Sequence, residues 1–193
     1  MIIKIVSFAI GAAYHKAMER LEKSLSGQCY ELTKSHVIKD WKSCVVEKPQ
    51  FILNALENSY CDGVLWTDAD SELVSKPDWN VFQGVDMGAV RWRRSPQHEE
   101  EILTGTMFWA KSDRAIELCR EWAYLTPSYR EHFTPEQASL KEILGREESK
   151  AYKVKALPVE WCYIADDHAE EFPNVHPIFK HYQMSRQERA RAI

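Results

Sequence analysis

The stretch "VLWTDADSELV" (Val64–Val74) places two carboxylates directly after an apolar run. The run from Val64 to Trp66 is typical of a buried strand. Carboxylates are costly to remove from water, so Asp68 and Asp70 at the end of such a strand are expected to meet a positive charge. A metal ion, a basic side chain or a phosphate-bound cation would each supply that charge.

The composition is that of an ordinary globular protein. With 193 residues, 45% hydrophobic and 28% charged, residues 1–193 are expected to form a single domain. The net charge of -4 gives no general attraction to nucleic acid or to an anionic membrane. No stretch reaches the ~18 apolar residues of a membrane span. Five widely spaced cysteines without a C-x-x-C pair fit reduced thiols, and we expect a cytoplasmic protein.

Strand and helix patterns alternate along the chain. The opening "MIIKIVSFAIGAA" has some features of a signal peptide, but its apolar run is short and we expect a first strand instead. The strands are predicted at Ile2–Phe8, Val64–Trp66, Val85–Trp92 and Ile102–Ala110. The helices are predicted at Tyr14–Leu25, from Lys48-Pro49 onward, and from Ser112 through Leu125. This alternation predicts an α/β fold.

The spacing of the two aspartates predicts a cation site. Residues two apart in an extended chain point to the same side, so Asp68 and Asp70 can converge at the carboxyl end of a strand. That edge is where open α/β sheets bind ligands. Carboxylates hold Mg²⁺ or Mn²⁺, and such ions commonly take phosphate oxygens as further ligands, which suggests a diphosphate substrate. The alternative is a pair of solvated turn carboxylates.

A longer stretch, "KPQFILNALENSYCDGVLWTDADSELVSKPDW", resembles the core of GT-A-fold glycosyltransferases, in which a helix near a basic residue precedes a strand ending in Asp-x-Asp. Further stretches resemble that family in the same order: "IVSFAIGAAYHKAMERLEKSL", "LTGTMFWAKSDRAIELCREW", "PEQASLKEIL", "LPVEWCYI" and "IFKHYQMSR". Together they span most of the chain. They are most similar to the family that includes glycogenin and bacterial lipopolysaccharide galactosyltransferases. The resemblance implies a GT-A-like (Rossmann-like) mixed sheet flanked by helices.

The resemblance also implies roles for individual residues. Asp68, Asp70 and His181 would hold Mn²⁺ or Mg²⁺, which bridges the diphosphate of a nucleotide-sugar donor, with a UDP-sugar expected. The remaining assignments are Ala9, Tyr14, Lys48 and Ala69 for donor binding, Gly105, Thr106 and Trp161 for the acceptor, and Glu136 and Gln137 for catalysis. The acceptor would be a hydroxyl group of unspecified origin.

Each of these residues also has a simpler interpretation. His181 fits an ordinary surface histidine, and Tyr14 a core residue at a helix start. Lys48 could neutralise phosphate or pair with a site carboxylate, and its simpler interpretation is a solvated lysine at a helix start. "TPEQ" is a capping signature, with Thr134 as N-cap, Pro135 first in the helix and Gln137 third. Glu136 lies in that first turn, where a carboxylate interacts favourably with the helix dipole, and this role is favoured over that of a general base.

The resemblance, together with the aspartate pair, implies a metal-dependent glycosyltransferase, and it favours retention of configuration. A phosphatase of the haloacid dehalogenase type also carries Asp-x-Asp after a strand, but on its first strand and before a glycine-containing loop, whereas Ser71-Glu72-Leu73 follows here. A non-catalytic nucleotide-sugar-binding module is the other alternative. The basic residues Arg186, Arg189 and Arg191 fit either a solvated C-terminal helix or contact with a phosphorylated or nucleic-acid acceptor.

Overall fold

The computed structural model describes residues 1–35, 40–93 and 95–184. Arg186, Arg189 and Arg191 therefore lie outside the described residues. The strands are β1 (Ile3–Ile10), β2 (Cys29–Ser35), β3 (Gly63–Thr67), β4 (Ser71–Leu73), β5 (Met87–Trp92), β6 (Glu101–Ala110), β7 (Val154–Leu157), β8 (Tyr163–Ile164) and β9 (Phe179–His181). The α-helices are α1 (Ala12–Ser24), α2 (Trp41–Asn58), α3 (Asp113–Leu125), α4 (Pro135–Gly145) and α5 (Ala165–Glu171).

The main sheet is mixed and has six strands in the order β2-β1-β3-β6-β5-β7. Strand β1 runs parallel to both β2 and β3, whereas β6 runs antiparallel to β3 and β5. A smaller sheet has the order β4-β9-β8. The predicted α/β class, with a mixed sheet flanked by helices, is confirmed. Because β1 and β3 are parallel, the turns that follow them lie at the same edge of the sheet.

Strand β3 is buried along its whole length, which explains why the sequence before Asp68 shows no polar alternation. Val64 and Trp66 pack into one apolar cluster with residues of α2 and α3, while Leu65 packs into a second cluster on the opposite face with residues of α1. Successive side chains of a strand point to opposite faces, so the two clusters pack against the two faces of β3. The turn after β3 is thereby anchored in the middle of the fold.

Helix α2 begins seven residues before the predicted start at Lys48-Pro49, so that prediction is wrong. Asp40 caps the helix, since its Oδ1 accepts a hydrogen bond of 2.8 Å from Ser43 N. Pro49 lies inside the helix, where it removes one backbone donor without ending the helix. Lys48 is consequently in the helix interior and buried, with 4% exposure.

Other predicted elements agree to within a few residues. Ser112 caps α3 as expected, because its Oγ accepts a hydrogen bond from Ala115 N. The opening segment forms β1, which pairs with a strand on each side. Strand β2 is an exposed edge strand with a polar sequence, and β4, β8 and β9 have two or three residues each, so none of them carries a readable hydrophobic pattern. No helix within the described ranges is both long and apolar enough to cross a membrane.

Candidate metal and ligand site

The two aspartates lie in a turn between β3 and β4. Strand β3 ends at Thr67, and Ser71 N donates to Asp68 O over 3.0 Å to close the turn. Asp68 N donates to Gly105 O over 2.8 Å, which ties the turn to β6. The predicted reason for convergence, alternation along an extended strand, is therefore wrong. The turn, and not the strand, brings the carboxylates of Asp68 and Asp70 together.

His181 reaches the same turn through the smaller sheet. Strand β9 pairs antiparallel with β4, and the register sets His181 opposite Ser71. Ligand atoms of Asp68, Asp70 and His181 all lie within 4.8 Å of one another. Two carboxylates and an imidazole are donors that Mn²⁺ accepts in proteins. These three residues can therefore hold a divalent metal ion.

The electrostatics of the three residues suit a cation. Burial, together with the neighbouring charge of Asp68, raises the pKa of Asp70 to about 6. Burial lowers the pKa of His181 to about 4, so the imidazole is neutral at pH 7 and available as a ligand. A metal ion would relieve the repulsion between the two carboxylates, because it supplies positive charge within reach of both.

Buried hydroxyl groups orient the His181 ring. Its Nε2 lies 2.8 Å from Thr106 Oγ1, which is 3.2 Å from Thr67 Oγ1, and Thr67 Oγ1 is 2.7 Å from Ser71 Oγ. Histidine ligands of metals commonly have their second nitrogen held by such a partner. Thr106, predicted to bind the acceptor, is fully buried behind the histidine.

Gly105 allows the close approach of His181. A Cβ added at Gly105 would lie 3.0 Å from His181 Cε1 and 3.0 Å from Cys162 Sγ. Both distances are shorter than ordinary van der Waals contact. The ring of His181 therefore packs directly on the glycine backbone.

We expect Gly105→Ala to weaken Mn²⁺ binding by about tenfold, because the added methyl group would displace the ring of a candidate metal ligand, His181. Gly145→Ala is the matched control, since a Cβ at Gly145 meets no atom within 4 Å. Titration calorimetry with Mn²⁺ on both variants measures the difference. Equal Mn²⁺ affinity in the two variants would contradict the role given to Gly105.

Lys48 joins the aspartate turn to α4. Its Nζ lies 2.9 Å from Asp68 Oδ1 and 3.7 Å from Glu136 Oε1. Burial by itself would lower the pKa of Lys48, but the charges of Asp68 and Glu136 outweigh burial and raise that pKa. The interpretation of Lys48 as a solvated lysine is therefore wrong, and the interpretation as a partner of site carboxylates agrees with the structure.

Glu136 is a buried carboxylate with one satisfied oxygen. Its Oε1 accepts a hydrogen bond of 3.0 Å from Thr104 Oγ1, and the residue is 4% exposed. Its Oε2 is buried and has no hydrogen-bond partner within the described part of the chain. An unpaired buried acceptor is costly, so a bound ligand with a hydroxyl group would be a suitable partner.

The start of α4 does not form the predicted capping box. Thr134 occupies the N-cap position and Pro135 the first turn, but the Thr134 side chain makes no capping hydrogen bond. The Thr134 N–H, which a capping glutamine would accept, instead donates to His132 Nδ1 over 3.3 Å. The Gln137 side chain is half-buried.

A cavity of about 1480 Å³ collects most of the predicted site residues. Those that line it are Tyr14, Lys48, Asp68, Ala69, Asp70, Gly105, Glu136, Gln137 and His181. Gly11 also lines it, between β1 and α1, with a φ of 84° that favours glycine. The cavity thus lies at the carboxyl edge of the parallel strands β1 and β3.

Besides Thr106, which does not line the cavity, two further predicted residues lie away from it. Ala9 is buried in a small cluster with Met18 and Ala69. Trp161 is 2% exposed, and its ring packs 4.8 Å from that of Phe82 in the core. Neither residue is brought to the cavity lining.

Several aromatic residues outside the predicted site also line the cavity, and two of them, Trp41 and Phe133, lie beside helix starts. Trp41 is the first residue of α2, and Phe133 precedes α4 with 70% of its surface exposed. A single aromatic residue next to a helix start carries no periodic signal, although Phe133 lies four residues before the predicted site residue Gln137. Large exposed aromatic groups at a cavity are common features of binding surfaces.

Comparison with solved structures identifies the class of fold. The chain is similar to a glycosyltransferase involved in the glycosylation of the major capsid of PBCV-1, with a TM-score of 0.71, 18% identity and all of both chains covered. It is also similar to the glycosyltransferase GlyE of Streptococcus pneumoniae TIGR4, with a TM-score of 0.61, 15% identity and 93% of this chain covered. The apo form of GlyE gives a TM-score of 0.62, 16% identity and 94% of this chain.

The chain spans 54% of the length of GlyE. No protein-family model matches the sequence, and no curated protein does. At these identities the likeness establishes the fold, and the chain therefore has a glycosyltransferase fold.

Proposed function

We propose that this protein is a metal-dependent glycosyltransferase that moves a sugar from a nucleotide-diphosphate donor to a hydroxyl acceptor. The observation that carries the proposal is the grouping of Asp68, Asp70 and His181 within 4.8 Å at a large cavity of a glycosyltransferase fold. Mn²⁺ or Mg²⁺ is the proposed ion, and a UDP-sugar is the proposed donor.

In this proposal the protein's own residues position the donor and its leaving group. Asp68, Asp70 and His181 would hold the ion, which when bound neutralises the charge that develops on the leaving diphosphate. Lys48 keeps Asp68 in place through a 2.9 Å ion pair. Tyr14, after the first strand, would face the nucleobase. The acceptor would enter from the part of the cavity where Phe133 is exposed, since the predicted acceptor residue Trp161 lies in the core.

Glu136 and Gln137 are the proposed residues beside the transferred sugar. Both line the cavity from the first turn of α4. Glu136 Oε2 has no partner in the described chain and can accept a hydrogen bond from a sugar hydroxyl. The Gln137 side chain forms no capping box and lines the cavity, so its amide can bind a polar group of the substrate. Retention of configuration remains a proposal taken from the family resemblance.

A thermal-shift screen tests the function directly. Nucleoside diphosphates and nucleotide sugars are added to the purified protein with and without Mn²⁺, because a ligand that binds the native state raises the melting temperature. We expect the largest rise with a UDP-sugar and Mn²⁺ together. An equal rise without the metal, or no rise with any nucleotide, would contradict the proposal.

Turnover separates the enzyme from a non-catalytic binding module. An enzyme hydrolyses its donor slowly when water replaces the acceptor, whereas a binding module gives the same metal-dependent thermal shift without nucleotide release. The same assay with a generic phosphomonoester tests the phosphatase alternative.

We expect Gln137→Ala to lower kcat for donor hydrolysis by about tenfold or more, since each ~1.4 kcal/mol of lost transition-state stabilisation is a factor of ten. Nucleotide affinity should change little, because the proposed contact is with the sugar. The free energy of unfolding should fall by less than the ~1 kcal/mol typical of a lost helix cap, because no capping box forms.

The measurement pairs kcat with a urea unfolding curve for the same preparation. Thr134→Ala is the matched control at the same helix start, because its side chain makes no capping bond. A loss of stability in Gln137→Ala with unchanged kcat would remove Gln137 from the catalytic residues.

A further inference from the structure

The chain segment that follows β9 holds Asp70 in place. Tyr182 N donates to Asp70 O over 3.2 Å, and Met184 N donates to Asp70 Oδ2 over 2.8 Å. Between them, Gln183 has a φ of 51°, a left-handed conformation that is uncommon for a residue with a side chain. This turn brings the Met184 N–H back toward Asp70. The segment that carries His181 thus also fixes a second candidate metal ligand.

Arg20 of α1 contacts both parts of this arrangement. Its guanidinium carbon lies 3.8 Å from the centre of the Tyr182 ring, which is cation–π stacking, and its Nη2 makes a long hydrogen bond of 3.5 Å to Asp70 O. Tyr182 is fixed at its other end, because its hydroxyl donates to Glu72 Oε2 over 2.7 Å. Lys180 Nζ also lies 5.3 Å from the Tyr182 ring centre.

The pairing of β4 with β9 constrains the relative position of the candidate ligands Asp70 and His181 only weakly. Strands β4 and β9 have three residues each, so few ladder hydrogen bonds set the position of His181 relative to Asp70. The Arg20 stack adds a third element, α1, to this junction. Arg20 Nε is buried without a hydrogen-bond partner in the described chain, so the guanidinium position is explained by the stack and the Asp70 contact.

We propose that Arg20 is a positioning residue for the metal site. By stacking on Tyr182 and contacting Asp70 O, it keeps Asp70 and His181 at the separation that a divalent ion requires. Arg20 would not itself be a ligand of the ion, since the candidate ligands are Asp68, Asp70 and His181. This inference rests on the metal site of the proposed function. A planar guanidinium is needed, because an ammonium group cannot stack on a ring in the same way.

The test measures Mn²⁺ affinity of the full chain by electron paramagnetic resonance of free Mn²⁺, together with the melting temperature of the metal-free protein. We expect Arg20→Ala to weaken Mn²⁺ binding by about 10- to 100-fold, the range for loss of a residue that orients metal ligands. Arg20→Lys, which keeps the charge, should weaken binding by severalfold. Lys16→Ala is the matched control, because it removes an exposed positive charge one turn earlier on α1 and should leave Mn²⁺ affinity unchanged.

The outcomes distinguish this inference from the proposed function. If the wild-type protein does not bind Mn²⁺, the metal site itself is wrong, and this inference falls with it. If the wild-type protein binds Mn²⁺ and Arg20→Ala binds it equally well, the inference is overturned while the metal site stands. A lower melting temperature with unchanged Mn²⁺ affinity would show that Arg20 has a structural role only, which also overturns it. If Arg20→Ala does not fold, Arg20→Lys decides the question by the same measurement.

Discussion

Asp70→Asn should abolish metal-dependent nucleotide binding and lower sugar transfer by about a thousandfold or more, while the protein remains folded. Loss of a ligand removes the charge stabilisation that a metal ion gives to a leaving diphosphate, which amounts to several kcal/mol. The fold should survive because asparagine has the shape of aspartate and its carbonyl can still accept the 2.8 Å hydrogen bond from Met184 N. Titration calorimetry with Mn²⁺ and UDP measures the binding, and circular dichroism checks the fold.

The melting temperature of metal-free Asp70→Asn gives an independent check. Asp70 is 7% exposed and lies beside Asp68, and their repulsion contributes to the raised pKa of Asp70. Removing one of the two charges should leave the melting temperature unchanged or higher. Asp166→Asn, on the exposed surface of α5, is the matched control for loss of one carboxylate. An Asp70→Asn protein that binds nucleotide with the wild-type metal dependence would disprove the assignment of Asp70 as a ligand.

Lys48→Met should lower the free energy of unfolding by about 3–5 kcal/mol, the range for removing one partner of a buried ion pair. The side chains of Lys48 and Glu136 are 6% and 5% exposed, so Glu136 would be left as a buried charge without a cation. Asp68 contributes less to this loss because 35% of its side chain is exposed and water can compensate it. Urea unfolding of the metal-free protein measures the change.

A compensating variant tests the physical cause. Adding Glu136→Gln to Lys48→Met removes the stranded charge while the amide oxygen can still accept from Thr104 Oγ1, so much of the stability should return. Lys42→Met on the same helix is the matched control, because its ion pair with Glu131 is solvent-exposed and should contribute at most about 1 kcal/mol. If Lys48→Met is no less stable than Lys42→Met, the buried pair does not stabilise the fold.

Several features of the fold could be predicted from local sequence alone. The apolar run of β3 identifies a strand buried on both faces, and Ser112 identifies the start of α3. Asp68 and Asp70 could be selected because two carboxylates after a buried strand need a nearby cation. These predictions succeed because hydrophobic runs and helix caps act within a few residues, so the sequence contains all the groups involved.

Sequence patterns predict the residues of the candidate site less well than they predict the fold. Pro49 is typical of a helix N-terminus and predicts a start near residue 48, whereas Asp40 provides the cap and α2 begins at Trp41. The chain neighbours of Trp161 predict an acceptor residue, yet its ring packs on Phe82 in the core, while Phe133 lines the cavity. Sequence pattern cannot distinguish a core aromatic residue from an exposed one when no periodic segment surrounds it.

Local sequence patterns account for the α/β class, the central strand β3 and the two carboxylates that follow it. Contacts between distant segments account for the rest: the turn brings these carboxylates together, Lys48 is buried between Asp68 and Glu136, and the short strand β9 places His181 beside them. The two kinds of feature differ in how far apart along the chain the interacting groups lie. Periodicity and capping depend on neighbouring residues, whereas the burial of a charge and the meeting of ligands depend on strand pairing and packing between distant parts of the chain.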